Sequence, residues 1–221
     1  MRSVWWAGPT LLMLGVIGIV AILLQPPDDR GTLGWWILSN TFAYQRVLPL
    51  AGLGTALALV SLSQRITALS LFALGIALGF FFSDPFLSTI ALLPGAAKHH
   101  FLTGPIMSVA VGLSLVAPGR IRSWVLPVAA IIVGAVFAAA IRLTDPSFRD
   151  PTIMLAGLGV GAWILITVCL TMRALWQTWF ETAGRILGSW LIAIGLLYGG
   201  ASLIPPRDLA PPDQLQTAPP P

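Results

Sequence analysis

Long runs of apolar residues without a charge constrain this chain more than any other feature of its sequence. One of them, Val4 to Leu24, has 21 residues and no Asp, Glu, Lys, Arg or His. About 20 such residues, folded as a helix, cross the hydrocarbon core of a bilayer. Charged residues make up 9% of the chain, against about 25% in soluble domains, so too few polar side chains remain to cover a water-facing surface. The sequence therefore predicts an all-α, polytopic transmembrane helix bundle surrounded by lipid.

Six further apolar runs bring the predicted number of spans to about seven. The predicted spans are Val4–Leu24, Arg46–Leu62, Ile66–Phe82, Phe101–Ala117, Trp124–Ile141, Thr152–Met172 and Ile186–Ile204. The number falls to six if the first run is a cleaved signal peptide. That run is longer than a usual signal core, however, and Gln25–Asp29 offers no small-x-small cleavage site, so we expect a retained anchor. Phe86–Leu93 is too short to cross and is interpreted as a re-entrant or interfacial piece.

The chain divides into a transmembrane helical domain, residues 1–204, and a proline-rich tail, residues 205–221. The tail has no apolar run to bury and is predicted to be flexible. We expect the protein to be integral to a bacterial inner membrane. Seven spans place six Lys or Arg on each side, so the positive-inside rule does not decide the orientation. Seven of the eight acidic residues fall on the side that also carries the tail, which favours an external position for that side.

Several classes of function are disfavoured by what the spans lack. Their interiors contain no Asp, Glu, Lys, Arg or His, whereas proton relays and ion-coupled transporters usually retain charged groups at depth. No carboxylate pair, Ser-His-Asp set or phosphate loop is present, so an enzyme is not expected. The basic residues are spread singly, which is not the footprint of a nucleic-acid-binding protein. The single cysteine, Cys169, excludes an intrachain disulfide and a cysteine-based zinc site.

Glycines recur at four-residue spacing in and beside the predicted spans. The pairs are Gly75 and Gly79, Gly157 and Gly161, Gly184 and Gly188, and Gly195 and Gly199. This spacing places small residues on one helix face, where helix backbones can approach closely. Two interpretations remain open, namely packing within the bundle and an interface with other membrane subunits or with a second copy of the chain.

The only lysine and the only two histidines of the chain are consecutive, at Lys98, His99 and His100. The histidines precede an apolar run and are candidate metal ligands, together with Met107. A metal site usually needs three or four ligands, and the thioether of Met107 would favour copper or nickel over magnesium. Two alternatives are that the segment simply marks the polar boundary of a span, or that it senses pH.

A family resemblance is carried by His100-Phe101-Leu102-Thr103-Gly104 and the apolar residues Met107–Leu113. They resemble the signature region of the HupE/UreJ membrane proteins, which are hydrogenase and urease accessory proteins associated with nickel or cobalt. The last span, with Arg185, Gly188, Ala193 and Gly195, also resembles the closing helix of that family. The Asp and second His of the family pattern fall on Ile106 and Met107 here, so only His100 and Gly104 can be carried over.

Two hypotheses follow from the sequence. The resemblance implies a permease or metal-enzyme accessory protein whose transition-metal site is altered or lost. The absence of buried charge favours instead a non-catalytic structural or assembly subunit of a larger inner-membrane complex, which would pack against its partners through its glycine faces.

Overall fold

The computed structural model describes residues 6–26, 29, 31–82, 102–145, 151–175 and 177–203, and the regular structure there is helical throughout. The helices are α1 (Ala7–Leu24), α2 (Gly31–Trp36, followed by a π-helical turn, Ile37–Thr41), α3 (Tyr44–Ala58), α4 (Leu62–Phe81), α5 (Thr103–Val116), α6 (Gly119–Thr144), α7 (Pro151–Ala174) and α8 (Phe180–Leu203). The predicted re-entrant piece, the histidine pair and the proline-rich tail lie outside the described residues.

Five of these helices, α1, α4, α6, α7 and α8, are long and apolar enough to cross a membrane. Their outer faces carry large exposed apolar side chains, such as Leu24, Trp190 and Leu197, as expected for contact with lipid. The predicted all-helical class is confirmed, and the five helices fit the predicted membrane location. α3 and α5 have 15 and 14 residues, which is shorter than the length of about 20 that a span needs.

The short helix α3 forms the centre of the bundle. Leu50, Leu53 and Leu57 on three successive turns are almost completely buried. Close contacts bring α5 and α8 to one face of α3 at Gly52, and bring α7 to another face at Gly54. α3 is therefore enclosed by other helices along most of its length.

Contacts between glycines and neighbouring helices define the helix directions. A Cβ added to Gly104 would lie 2.9 Å from Gln45 Cβ, and one added to Gly52 would lie 2.7 Å from Val111 Cγ1. Later residues of α3 thus meet later residues of α5, so these two helices run parallel. Both contacts join residues 59 positions apart.

The same relation holds between α4 and α6. Gly75 packs on the backbone of Ile131 and Gly79 on that of Ala135, so α4 and α6 also run parallel. These contacts join residues 56 positions apart. The hairpin α3–α4 is therefore followed by a second hairpin, α5–α6, that lies beside it in the same direction.

Each of the two hairpins has an arginine at the equivalent position. Arg65 and Arg122 are each the fourth residue of the second helix. Arg65 donates to the carbonyls of Leu57 and Val60, at 3.0 Å each, and Arg122 donates to the carbonyl of Leu115 at 3.2 Å. Each guanidinium thereby satisfies carbonyls at the C-terminal end of the preceding helix, where a positive charge is favourable.

The four-residue glycine pairs all lie against other helices of the same chain. Gly75, Gly79, Gly157 and Gly161 pack on α6, and Gly188, Gly195 and Gly199 pack on α5. Gly184 lies closest to Leu59, just after α3, and next to Leu115 of α5. The contact of α5 with α8 is reciprocal, because a Cβ at Gly112 would lie 2.6 Å from Gly188 O and one at Gly188 would lie 2.8 Å from Gly112 O. Gly75, Gly79, Gly188 and Gly195 therefore bring backbones together within the bundle, whereas the other four glycines leave space for side chains of neighbouring helices.

The predicted span boundaries differ from the helix boundaries at the starts of α4, α6 and α8, where each helix begins four to six residues before the predicted span. Gln64 and Arg65 fall between the predicted spans Arg46–Leu62 and Ile66–Phe82, but they lie in the first turn of α4. Ser61 caps this helix, because its Oγ accepts from the Gln64 backbone N–H while Gln64 Oε1 accepts from the Ser61 backbone N–H. This reciprocal capping box starts the helix before its polar residues rather than after them.

Candidate functional site

A cleft of about 330 Å³ opens between α3, α5 and α8 at the end of the bundle where α3 and α5 begin. It is lined by Tyr44, Gln45, Leu48, Gly104, Pro105, Ser108, Ile194, Gly195, Tyr198 and Ala201. Most of the lining is apolar, and its polar groups are hydroxyls and one amide. None of these lining residues carries a charge.

The polar rim of the cleft is formed by the only two tyrosines of the chain. The ring centroids of Tyr44 and Tyr198 lie 5.9 Å apart, with a tilt of 49° between the rings. Gln45 Nε2 lies 3.4 Å from Tyr44 Oη and donates to it. Both tyrosines are about half exposed, so their hydroxyls can meet a ligand or a neighbouring protein.

Two glycines set the shape of this cleft. The missing side chain of Gly104 lets α5 approach α3 at Gln45. A Cβ at Gly195 would lie 2.9 Å from the carbonyl oxygen of Pro105, so α8 also approaches α5 closely here. The three helices therefore meet beside the cleft through small residues, and the larger side chains of Tyr44 and Tyr198 stand at its rim.

Of the three metal ligands predicted from the sequence, the structure describes only Met107. His99 and His100 lie outside the described residues, and their metal binding stays a prediction. Met107 is on α5 and is fully buried in the apolar core, and it does not line the cleft. Its neighbour Ser108 does line the cleft. Gly104 also lines it, and of the two residues that match the HupE/UreJ pattern, His100 and Gly104, it is the one that the structure describes. Within the part of the chain that the structure describes, no group of three or more His, Cys, Asp or Glu is placed to hold a metal ion.

The tyrosine pair was missed in the sequence, although a signal for it existed. If spans alternate in direction, the start of the second span and the end of the seventh lie on the same side of the membrane. Tyr44 and Tyr198 occupy those two positions. The shared end could therefore have been predicted, whereas the contact between the rings depends on α3 and α8 being neighbours.

The cleft offers a ligand both hydrogen-bonding groups and apolar walls. Tyrosine hydroxyls and the Gln45 amide donate and accept hydrogen bonds, and the apolar walls favour an aliphatic or aromatic group. No carboxylate or imidazole is among the lining residues to transfer a proton. Comparison with models of known protein families, with curated proteins and with solved structures found no match.

Proposed function

We propose that the protein is a non-catalytic accessory subunit of a larger bacterial inner-membrane complex, with seven spans and with the cleft between α3, α5 and α8 as its partner-binding surface. The observation that carries the proposal is the combination of a closed apolar core with a tyrosine-rimmed cleft at one end. The short helices α3 and α5 count as spans because both lie antiparallel to long neighbours that cross the membrane.

The core supports a subunit that works by packing. Large apolar side chains from three helices fill the middle of the bundle, with Leu50 and Leu53 of α3, Phe137 of α6 and Leu191 of α8 at most 1% exposed. A permease needs a polar path or a site at depth that its cargo can reach. Packing at this density provides surface and rigidity instead.

The positions of the charges agree with such a role. Each charged residue on a described helix lies within six residues of that helix's end. Arg46, the third residue of α3, is buried, but it donates to Ala140 O at 3.0 Å and to Thr144 Oγ1 at 2.9 Å. These acceptors are at the C-terminal end of α6, so the buried charge joins two helices rather than forming a site at mid-depth.

The cleft presents tyrosines and apolar side chains, which protein interfaces commonly use to bind a partner. Tyrosine is enriched at interfaces because its ring supplies apolar contact area and its hydroxyl supplies a hydrogen bond. A partner side chain that enters the cleft would contact Leu48 and Ile194 and bond to the rim hydroxyls. Leu196 and Leu197 beside the cleft are exposed and extend the apolar surface along α8.

Site-specific photo-cross-linking in native membranes tests this function. A benzophenone amino acid at Tyr198 should give one discrete protein adduct, which is then identified by mass spectrometry and confirmed by the reciprocal cross-link from the partner. The matched control is the same amino acid at Gly18, which has open space around it on α1 and should give lipid adducts only. Lipid adducts from both positions, together with migration as a monomer on blue-native gels, would contradict an accessory-subunit function.

A second candidate function, a transition-metal accessory protein, is favoured by the position of the cleft at the start of α5. The His99-His100 pair precedes Leu102 by two and three residues in the sequence. If the HupE/UreJ-like resemblance holds, these imidazoles would take nickel, cobalt or copper. Met107, the third predicted ligand, is fully buried in the apolar core and would reach such a metal only if the start of α5 moved away from its neighbours.

We expect the double variant His99→Ala, His100→Ala to lose stoichiometric binding of nickel, cobalt and copper. Equilibrium dialysis of the purified full chain, followed by elemental analysis, measures the bound metal. Met107→Leu keeps the core volume and tests the thioether separately, with Met172→Leu as its control. Unchanged metal content in the double variant would eliminate the metal function and leave the accessory-subunit function standing.

A further inference from the structure

The end of the bundle opposite the cleft, where α3, α5 and α7 end, is basic. We call it the basic end. The described helix ends there carry five arginines and one acid, namely Arg65, Arg120, Arg122, Arg173, Arg185 and Glu181. Among the described residues, only two of these arginines have an acidic partner, which leaves positive charge available for a ligand.

The single acid is already engaged. Glu181 Oε1 lies 3.2 Å from Arg185 Nη2 and 4.0 Å from Arg122 Nη2. Both of these arginines are therefore compensated in part. Arg65 and Arg173 have no acidic partner within the described residues.

Arg65 and Arg173 line one cavity of about 370 Å³ at the turn between α3 and α4. Its other walls are the end of α3, the turn residues and Leu62, the first residue of α4. Arg65 Nε and Nη2 are held by carbonyls at the end of α3, which fixes the guanidinium in place. The start of α4 adds the positive end of a helix dipole, and Arg65 offsets the negative end that the carbonyls of α3 present on the opposite wall. Two guanidinium groups and a helix start therefore surround a space that lacks a negative charge.

The surroundings of the cavity identify the kind of anion. Leu62 and Ile66 on the first turns of α4 are exposed, at 65% and 56%, so an apolar surface leads away from the cavity along the helix. Phospholipids combine a phosphate with acyl chains, and arginine binds phosphate oxygens in bidentate fashion. Basic pockets between transmembrane helices are suited to anionic headgroups.

We propose that the cavity lined by Arg65 and Arg173 binds the phosphate of an anionic phospholipid headgroup, with the acyl chains lying along α4 over Leu62 and Ile66. Occupation of the cavity neutralises Arg65 and Arg173, two of the three arginines of the basic end that Glu181 does not reach. The site is independent of the accessory-subunit function, because it lies at the other end of α3.

Native mass spectrometry and lipid titration of the full chain test this site. Phosphatidylglycerol is titrated into detergent-solubilised protein, with phosphatidylcholine as the zwitterionic comparison. We expect Arg173→Gln to weaken phosphatidylglycerol binding about fivefold, the effect of one basic side chain at a headgroup. Arg173 is exposed and bonds no described side chain, so the variant is expected to fold. Arg120→Gln is the matched control, since it removes the same charge from an exposed arginine at the same end, and it should leave the affinity within about twofold of the wild type.

Two outcomes would overturn the proposal. Equal losses in Arg173→Gln and Arg120→Gln would mean that lipid binds through the general charge of the basic end. Displacement of the lipid by millimolar inorganic phosphate, or equal retention of phosphatidylcholine, would mean that the cavity takes a free anion or that the acyl chains alone determine binding.

Discussion

Gly134→Leu is expected to prevent α4 and α6 from packing and so to abolish the folded bundle. Even a Cβ at this position would overlap the carbonyl oxygen of Phe72 and lie 3.0 Å from the backbone nitrogen of Ile76. Both atoms belong to the α4 backbone, so no side-chain rotation can make room. Overpacking of a core costs about 1–3 kcal/mol and sometimes more, and here two backbones must separate, so we expect a loss of at least about 3 kcal/mol. Size-exclusion chromatography and thermal unfolding in one detergent measure the effect.

Gly159→Leu is the matched control for this variant. Gly159 lies on α7 with no atom within 4 Å of its Cβ position, so leucine there projects into open space. Leucine also forms helix more readily than glycine, by about 1 kcal/mol. The control should therefore be as stable as the wild type or slightly more stable. If Gly134→Leu and Gly159→Leu give the same elution profile and melting temperature, the close contact between α4 and α6 is not present in the protein.

Trp36→Ala is expected to cause the second largest loss of stability. Trp36 is fully buried and is the largest completely buried side chain among the described residues. Its ring occupies the space left by Gly157, and its Nε1–H donates to Thr144 O at 2.7 Å. Truncation of a buried tryptophan to alanine costs about 3–5 kcal/mol. Thermal unfolding in detergent should show a clear decrease in melting temperature.

The neighbouring Trp35 provides the control, because it is 61% exposed. Trp35→Ala should change the melting temperature little. Trp36→Phe retains most of the ring but removes the hydrogen bond to Thr144 O, and its cost should be near the ~1 kcal/mol of one buried hydrogen bond. Similar melting temperatures for Trp36→Ala and Trp35→Ala would show that α2 is not anchored on the end of α6.

The cleft and the basic cavity can be tested separately because α3 separates them. Tyr44 begins this helix and Ala58 ends it, and 15 residues at about 1.5 Å each correspond to about 22 Å. Substitutions at sites this far apart are usually additive. Variants at Tyr198 should therefore leave lipid binding unchanged, and Arg173→Gln should leave photo-cross-linking from the cleft unchanged.

The helices of this protein were predictable because their signal is local. Five of the apolar runs form helices long and apolar enough to cross a membrane, and a helix is the conformation that satisfies its own backbone in lipid. The runs starting at Thr152 and Ile186 correspond to α7 and α8, with ends that differ by one to six residues. The glycine spacing indicated close packing, but it left open which helices would meet.

Pairings between helices were not predictable, since lipid-facing and core-facing surfaces are equally apolar in this chain. A hydrophobic stripe locates the core of a soluble helix, but it carries little information when the solvent is also apolar. Trp35 and Trp36 illustrate the difficulty. They are adjacent in the sequence, yet Trp35 is exposed whereas Trp36 is enclosed between α6 and α7.

By itself, the sequence determined that this chain forms helices long and apolar enough to cross a membrane, because transfer free energy and backbone hydrogen bonding act on each segment separately. Tertiary structure alone decided that α3 is central, that the hairpin α3–α4 is repeated beside itself as α5–α6, that the two tyrosines meet, and that Arg65 and Arg173 share a cavity. These features depend on which helix faces approach one another, and that choice is made by the fit of glycines against neighbouring backbones, which no local pattern specifies.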